Sequence, residues 1–161
     1  MHIGKAYMKQ HLYKTTIEWT GNLGKGTADY RSYERNHIVK VNGKVDIATS
    51  SDPAFRGDPA RHNPEELFLA SIASCHMLWY LHLCTEAGVI VTAYTDQAEG
   101  TMEETANGSG RFTEVILYPA VQVLEAHMQE KADALHHKAH QFCFIANSCN
   151  FPIRHKPVSY V

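Results

Sequence analysis

The sequence predicts an α+β fold, because strand-like and helix-like segments occur in blocks rather than in a regular strand–helix alternation. Strand patterns come first, a long apolar helix follows, two further strand patterns come next, and a second helix precedes a short C-terminal strand. The chain has 161 residues, which is the size of one typical domain. We therefore expect a single domain over residues 1–161.

The N-terminal third predicts two strand regions and a loop. Tyr7 to Trp19 reads as a strand, because β-branched and aromatic residues alternate with others at Tyr13, Thr15, Ile17 and Trp19. Between about His37 and Ile47, two short apolar runs flank Asn-Gly-Lys, and Asn-Gly is the strongest two-residue signal for a hairpin. Residues 50–62 contain two Asp-Pro steps and a glycine, so we expect a loop there.

A helix of about 24 residues is predicted directly after this loop. Asn63 can cap its start and Pro64 suits its first position. The carboxylates of Glu65 and Glu66 favour the positive end of the helix dipole, and Gly88 is a natural end.

The apolar residues of this helix cover most of its circumference rather than one stripe. A helix with this pattern is expected to be buried on several sides, which one small domain cannot easily achieve. We therefore expect a dimer in which the helices of two subunits share a core. The apolar and small residues are Leu67, Phe68, Ala70, Ser71, Ile72, Ala73, Met77, Leu78, Trp79, Leu81 and Leu83.

The C-terminal half predicts a long hairpin, a helix and an edge strand. Val89 to Gly100 and Arg111 to Val123 read as the two arms of the hairpin. Glu125 to about Asn147 is helical in pattern. The segment FPIRHKPVSYV closes the chain as an edge strand, where its prolines are tolerated.

The composition argues against nucleic-acid and membrane partners. Fifteen basic and 17 acidic residues give a formal net charge of -2, which offers no field to attract a polyanion. The N-terminus lacks the apolar region of a signal peptide, and polar residues interrupt each apolar stretch before the roughly 18 residues needed to span a bilayer. We expect a cytoplasmic protein.

Four cysteines without a signal peptide predict reduced thiols. Cys75 and Cys84 are nine residues apart on one helix, so they point to opposite sides and cannot bridge each other. Cys143 and Cys149 could pair only if the second helix broke between them. Cys84 has the setting of a small buried hydrophobe, whereas the small neighbours of Cys75 leave room for a substrate.

The motif NPEELFLASIASC, followed 68 residues later by a second cysteine on a helix, resembles the OsmC/Ohr family of osmotically inducible protein C and the organic hydroperoxide resistance proteins. The resemblance extends from about Thr16 to the end of the chain. It implies an OsmC-like fold, with antiparallel sheets wrapped around long central helices in an intertwined homodimer. It also implies a peroxidase without a cofactor, which reduces organic hydroperoxides to alcohols through a cysteine sulfenic acid and a disulfide and is restored by a dithiol reductant.

The resemblance also assigns roles to residues. Cys75 matches the peroxidatic cysteine, Cys143 the resolving cysteine, and Glu65 the carboxylate that orients an activating arginine. The position of that arginine in the early strand region favours Arg31. Its competitors are Arg35, Arg56 and Arg61.

An activating cation is also required by thiol chemistry. Only the thiolate attacks a peroxide, and a free cysteine with a pKa of about 8.5 is mostly protonated at neutral pH. Cys75 lies more than two turns into its helix, where the helix dipole no longer helps. Ten residues separate Glu65 from Cys75, a rise of about 15 Å, so the two can serve one site only if two subunits build it together.

The residue after the resolving cysteine departs from the family pattern. The resolving cysteine of the family is commonly followed by proline, whereas Phe144 follows Cys143 here, and Cys149 is an alternative resolving thiol.

Five aromatic residues can line a pocket for the organic part of a hydroperoxide or can belong to the core. They are Trp19, Trp79, Tyr80, Phe142 and Phe144.

The second helix also suggests a different kind of site. His136, His140 and Cys143 follow i, i+4, i+7 spacing, which aligns three zinc or iron ligands on one face, and His76 or Cys75 could add a fourth. The ordinary interpretation is a partly solvated helix face. The alternative function is a divergent OsmC-like protein that binds a metal or small molecule without efficient peroxidase turnover.

Overall fold

The computed structural model describes residues 9–161, so the predicted start of the first strand at Tyr7 lies outside the described residues. The chain divides into two compact units, the first ending at Pro64 and the second spanning Glu65–Val161. Together they have mixed α and β structure, as the sequence predicts.

The first unit contains a three-stranded antiparallel sheet in the order β1-β2-β3, formed by β1 (Thr16–Trp19), β2 (His37–Lys40) and β3 (Ile47–Thr49). The predicted hairpin is present, because β2 pairs with β3 across the Asn-Gly turn and Gly43 has a φ of 75° that favours glycine. The strand at Trp19 begins only at Thr16, which makes it shorter than the alternation predicts.

The segment between β3 and the long helix is a loop, as predicted. It contains one short 3₁₀ turn, Pro53–Phe55, whose start is capped by the Asp52 carboxylate, which accepts a hydrogen bond from the Ala54 N–H at 2.7 Å. Arg56 follows in the left-handed region with a φ of 66°.

The long helix α1 spans Pro64–Ala87 and ends at Gly88, which has a φ of 73°. Both ends confirm the sequence prediction. Within one chain, the fully buried residues of α1 lie on one face and Leu78 on the far side is 63% exposed, so burial on several sides stays a prediction that requires a second subunit.

By length and composition alone, α1 could also cross a membrane, with a mean hydropathy of 1.5 over its most apolar 18 residues. The central helices of globular proteins pass the same test. One face of α1 packs against strands and the second helix, and that face carries a buried histidine, His76.

The second unit contains four strands between its helices: β4 (Val91–Asp96), β5 (Glu99–Glu104), β6 (Gly110–Leu117) and β7 (Pro119–Val123). The predicted long hairpin is divided, because β4 pairs with β7 in one sheet and β5 pairs with β6 in another. The break falls where the Asp96 carboxylate accepts a hydrogen bond from the Tyr118 N–H at 2.7 Å.

The C-terminal segment forms two short strands rather than one. Strand β8 (Ile153–His155) runs parallel to β6, and β9 (Val158–Tyr160) runs parallel to β7. Both are edge strands of their sheets, the position predicted for this proline-containing segment.

The second helix α2 spans Gln129–Phe142, shorter than the predicted range of 125–147. Short 3₁₀ turns flank it, Ala126–Met128 before and Ala146–Ser148 after. Cys143 ends the helix because its ψ of 107° is extended, so the helix breaks between Cys143 and Cys149.

The core of the second unit has two apolar clusters, and α1 contributes to both. The larger one joins α1 to β7 and α2, and the smaller one joins α1 to β6. The buried residues are Tyr80, Leu83, Cys84, Val89, Val121, Val123, Met128, Ala132 and Ala139 in the larger cluster, and Ile72, Val115 and Leu117 in the smaller.

Candidate active site

Two thiols from different helices meet in the second unit. Cys75 lies in the middle of α1 and is half-buried, whereas Cys143, directly after α2, is only 1% exposed. The Cys75 thiol lies close enough to Cys143 to raise the pKa of the Cys143 thiol, and all four cysteines of the chain are free. The fold therefore brings together two sulfurs that are 68 residues apart in sequence.

The surroundings of Cys143 keep its thiol protonated at neutral pH. Burial raises the pKa of Cys143 to about 12, and the neighbouring Cys75 thiol adds to the increase. The Ala146 N–H donates a hydrogen bond to the Cys143 sulfur at 3.4 Å, which acts to lower the pKa of Cys143 and offsets part of the increase. Cys143 is thus able to donate a hydrogen bond to a Cys75 thiolate.

The other two cysteines lie apart from this pair in their packing. Cys84 is 1% exposed in the larger apolar cluster, and burial raises the pKa of its thiol. Cys149 is half-buried against the smaller cluster, and its thiol donates to the Ile145 carbonyl at 3.2 Å. Burial also raises the pKa of Cys149.

An aromatic group lies one turn beyond Cys75 along α1. The Trp79 ring contacts those of Phe142 and Phe144, with centroids 5.1 Å and 5.5 Å away. Phe144 is 67% exposed, so this group presents apolar surface to solvent beside the thiol pair. The remaining two aromatic candidates lie elsewhere: Tyr80 is fully buried in the core, and Trp19 belongs to the first unit.

A histidine pair links the same two helices. His76, the residue after Cys75, and His136 on α2 are buried, and the Nε2 of His76 lies 3.0 Å from the Nδ1 of His136 in a hydrogen bond. Tyr80 stacks on the His136 ring with a centroid distance of 3.8 Å. His155 on β8 lies close to the pair, with its ring centroid 5.6 Å from that of His76.

Both buried imidazoles are neutral at physiological pH. Burial, together with repulsion from His155 and His140, lowers the pKa of His76 to about 4. Burial likewise lowers the pKa of His136 to about 3, with His76 and His155 adding to the shift. Burial also lowers the pKa of His155.

The structure does not assemble the metal site suggested by the spacing of His136, His140 and Cys143. Among residues 9–161, no group of three or more His, Cys, Asp and Glu side chains is placed to hold a metal ion. The spacing aligns these residues along α2, but the Nδ1 of His136 is already hydrogen-bonded to His76.

The arginine candidates belong to the first unit and differ in how firmly they are held. The Arg35 guanidinium lies 4.2 Å from the centroids of both Tyr30 and Tyr33 and donates to both of their carbonyls. Arg31 is exposed. The Arg35 side chain is therefore fixed by local contacts.

Two further arginines lie in the loop before α1. Arg56 has the left-handed backbone noted above, and its guanidinium lies 5.9 Å from the Tyr30 ring centroid. The Nε of Arg61 lies 3.4 Å from the Oδ2 of Asp58 in an ion pair. The buried Nη1 of Arg61 has no hydrogen-bond partner among the described residues. Glu65 lies in the first turn of α1, about 15 Å along the helix axis from Cys75.

The sequence did not predict how His76, His136 and His155 contact one another. The spacing placed His136 and His140 on one face and pointed to His76 as a neighbour, but it gave no sign of a direct imidazole–imidazole bond. His155 was missed altogether, because its approach depends on the parallel pairing of β6 with β8.

Comparison with known proteins supports one family. The family model described as OsmC-like protein matches residues 57–157. A search of curated protein sequences finds no match.

Several solved structures are similar to this chain over nearly its whole length. An OsmC-like protein of unknown function from Vibrio cholerae is 29% identical, with a TM-score of 0.81 over 94% of this chain and 100% of that one. An organic hydroperoxide resistance protein from Legionella pneumophila is 22% identical, with a TM-score of 0.67 over 94% of this chain and 100% of that one. The organic hydroperoxide resistance protein OhrB of Bacillus subtilis is 20% identical, with a TM-score of 0.60 over 93% of this chain and 100% of that one.

Proposed function

The chain belongs to the OsmC-like protein family, and from that premise we propose that it is a cysteine-based peroxidase that reduces organic hydroperoxides to alcohols. The observation that carries the proposal is the contact between the half-buried Cys75 thiol and the buried Cys143 thiol. Two thiols of different exposure, placed next to each other, are what a peroxide reduction followed by disulfide formation needs.

In the first step, the Cys75 thiolate attacks the terminal oxygen of the hydroperoxide. The O–O bond breaks, the sulfur is oxidised to a sulfenic acid, and the alkoxide takes a proton and leaves as an alcohol. The Cys143 thiol, which burial keeps protonated, does not compete with Cys75 for the peroxide.

In the second step, the Cys143 sulfur attacks the Cys75 sulfenic acid. The S–S bond forms, the S–O bond breaks, and the proton of the Cys143 thiol leaves with the hydroxide as water. A dithiol reductant then reduces the disulfide and returns both thiols. The reaction needs no further cofactor.

The surface beside the thiols favours an organic substrate. Trp79, Phe142 and Phe144 form an exposed apolar group one turn from Cys75. The hydrocarbon part of an alkyl or aryl hydroperoxide would bury apolar area against these rings, which hydrogen peroxide cannot do.

Activation of Cys75 is assigned to an arginine oriented by Glu65. Arg31 is the proposed residue, with Arg56 and Arg61 as alternatives. Arg35 is a weaker alternative, because its guanidinium already donates to two carbonyls and stacks on two tyrosine rings.

We also propose that the working form is a homodimer. The far side of α1 carries exposed apolar surface at Leu78, and a second copy of the same helix would cover it. The distance along α1 between Glu65 and Cys75 supports the same arrangement, because Glu65 of one subunit could then serve Cys75 of the other. The proposed partners are thus a second copy, a hydroperoxide and a dithiol reductant in the cytoplasm.

The test is peroxide consumption by purified, reduced protein supplied with cumene hydroperoxide and a dithiol. Wild type should consume peroxide catalytically and Cys75→Ser should fall to the background of the buffer. Cys149→Ser is the matched control, because it removes another half-buried thiol and should keep most of the activity. Equal rates for wild type and Cys75→Ser would disprove the proposal.

A further inference from the structure

The hydrogen bond between His76 and His136 is a second link between the two elements that carry the thiol pair. His76 follows Cys75 on α1, and His136 lies seven residues, about two helical turns, before Cys143, which directly follows α2. The imidazole link and the thiol contact thus start from adjacent residues of α1 and reach partners about two helical turns apart in the second-helix segment.

The imidazole link has an energetic cost that ordinary core packing would not have. His76 and His136 are 1% and 0% exposed, yet His76 Nδ1 and His136 Nε2 have no hydrogen-bond partner among the described residues. An apolar pair of the same volume would leave no such buried nitrogen unsatisfied.

In return, the link fixes geometry. A hydrogen bond between two imidazoles forms only over a narrow range of distance and angle, whereas apolar contacts tolerate sliding. The rings are almost parallel, 9° apart, and Tyr80 covers the His136 face at 3.8 Å. Rotation or axial displacement of α2 against α1 would break this arrangement.

The thiol pair needs such precision. A disulfide forms without distortion only when the two Cα atoms are about 4.4–6.8 Å apart with suitable orientation. A small error in the position of α2 would therefore slow the capture of an oxidised Cys75 by Cys143.

We propose that His76 and His136 are positioning residues, whose hydrogen bond holds Cys143 in register with Cys75 and so sets the effective concentration of the two thiols in disulfide formation. The proposal deepens the peroxidase function stated above and rests on it for its biological role. The geometric effect itself is independent of peroxide.

The test measures the equilibrium between the Cys75–Cys143 dithiol and its disulfide in glutathione redox buffers. Protein dithiol and oxidised glutathione give protein disulfide and two reduced glutathiones, so no peroxide takes part. Cys84→Ala and Cys149→Ser are included in every protein so that only one disulfide can form.

Three variants of the second helix separate positioning from packing. His136→Phe keeps an aromatic ring but removes the hydrogen bond, and it should lower the effective concentration of the thiol pair about fivefold to tenfold. His136→Asn keeps a polar group near the position of Nδ1 and should retain most of the effective concentration of the parent protein. His137→Phe changes an exposed neighbour that bonds to Gln141 and should have no effect.

A corresponding pair on α1 covers the case in which His136→Phe does not fold. His76→Gln retains a polar group near the position of Nε2, and His76→Leu does not, so the first should exceed the second in effective concentration. The inference is wrong if His136→Phe or His76→Leu folds and matches the parent protein, or if the polar replacements are no better than the apolar ones. A protein that shows the expected losses but consumes no peroxide would leave the inference standing and disprove the proposed function.

Discussion

The buried thiol of Cys143 lies beside the Cys75 thiol, and its raised pKa of about 12 keeps it protonated, while Cys75 is the more exposed of the two. The pair is therefore asymmetric. The accessible sulfur is suited to meet the oxidant, and the buried sulfur is suited to act only after its neighbour has changed.

The first prediction concerns which thiol resolves the sulfenic acid. In Cys143→Ser, one equivalent of hydroperoxide should leave Cys75 as a sulfenic acid that dimedone labels, and turnover with a dithiol should fall about tenfold or more, because the effective molarity of a neighbouring thiol is lost. Mass spectrometry of the labelled protein measures this. Cys149→Ser should form the Cys75–Cys143 disulfide as wild type does, and a persistent sulfenic acid in that variant instead would assign resolution to Cys149.

The second prediction concerns the activating arginine. The proposed role of Arg31 is to supply the cation that holds Cys75 as a thiolate, so Arg31→Ala should slow the alkylation of Cys75 by iodoacetamide at pH 6 about tenfold. Peptide mass spectrometry resolves Cys75 from the other thiols. Arg35→Ala is the matched control, and an Arg31→Ala protein that alkylates as fast as wild type would transfer the role to Arg56 or Arg61.

The third prediction concerns stability in acid. The pKa values of His76 and His136 are lowered to about 4 and about 3, below the 6.5 of an unfolded imidazole, so the unfolded state binds more protons between these values. Stability should therefore fall as the pH drops from about 6.5 towards 4, by about 1.4 kcal/mol per pH unit for each imidazole. The groups that face the pair are His140 on α2, His155 on β8 and Tyr80 on α1.

Urea unfolding at pH 7 and pH 5 checks this prediction. His136→Phe should lose less stability than wild type between the two pH values, because one buried imidazole no longer has to be protonated on unfolding. His137→Phe, at an exposed position, should follow the wild-type dependence. Identical pH dependence in wild type and His136→Phe would contradict the prediction.

The fourth prediction concerns the oligomeric state. Leu78→Lys places a charge on the exposed apolar side of α1, and burying that charge in a dimer interface would be strongly unfavourable. Sedimentation velocity at micromolar concentration should show a dimer for wild type and a monomer for the variant. Leu124→Lys, at another exposed leucine, should remain dimeric. A monomeric wild type would remove the homodimer and with it the shared site.

The parts of the fold that the sequence predicted well are those with local chemical signals. α1 begins at Pro64, directly after Asn63, and ends before Gly88, and Asn42 with Gly43 lies at the β2–β3 turn. Each of these features depends on the backbone preferences of one or two residues, so a pattern in the sequence is sufficient to find it.

The parts that the sequence could not predict depend on packing between distant segments. α2 ends at Phe142 without a glycine or proline to mark the end, because the backbone of Cys143 turns to an extended conformation there. The contact between His76 and His155 requires β8 to pair with β6, which no local pattern encodes. The pairing of Cys75 with Cys143 was expected from family resemblance alone, since a contact across 68 residues has no signature in spacing.

The early end of α2 has a mechanical consequence. Although the backbone of Cys143 is extended, its N–H donates to the His140 carbonyl at 3.3 Å and its carbonyl accepts from the Asn147 N–H at 3.0 Å. The residue is therefore tethered to the last turn of α2 on one side and to the 3₁₀ turn Ala146–Ser148 on the other. The buried sulfur moves with its helix, so any partner that displaced the helix would change the redox behaviour of the thiol pair as well.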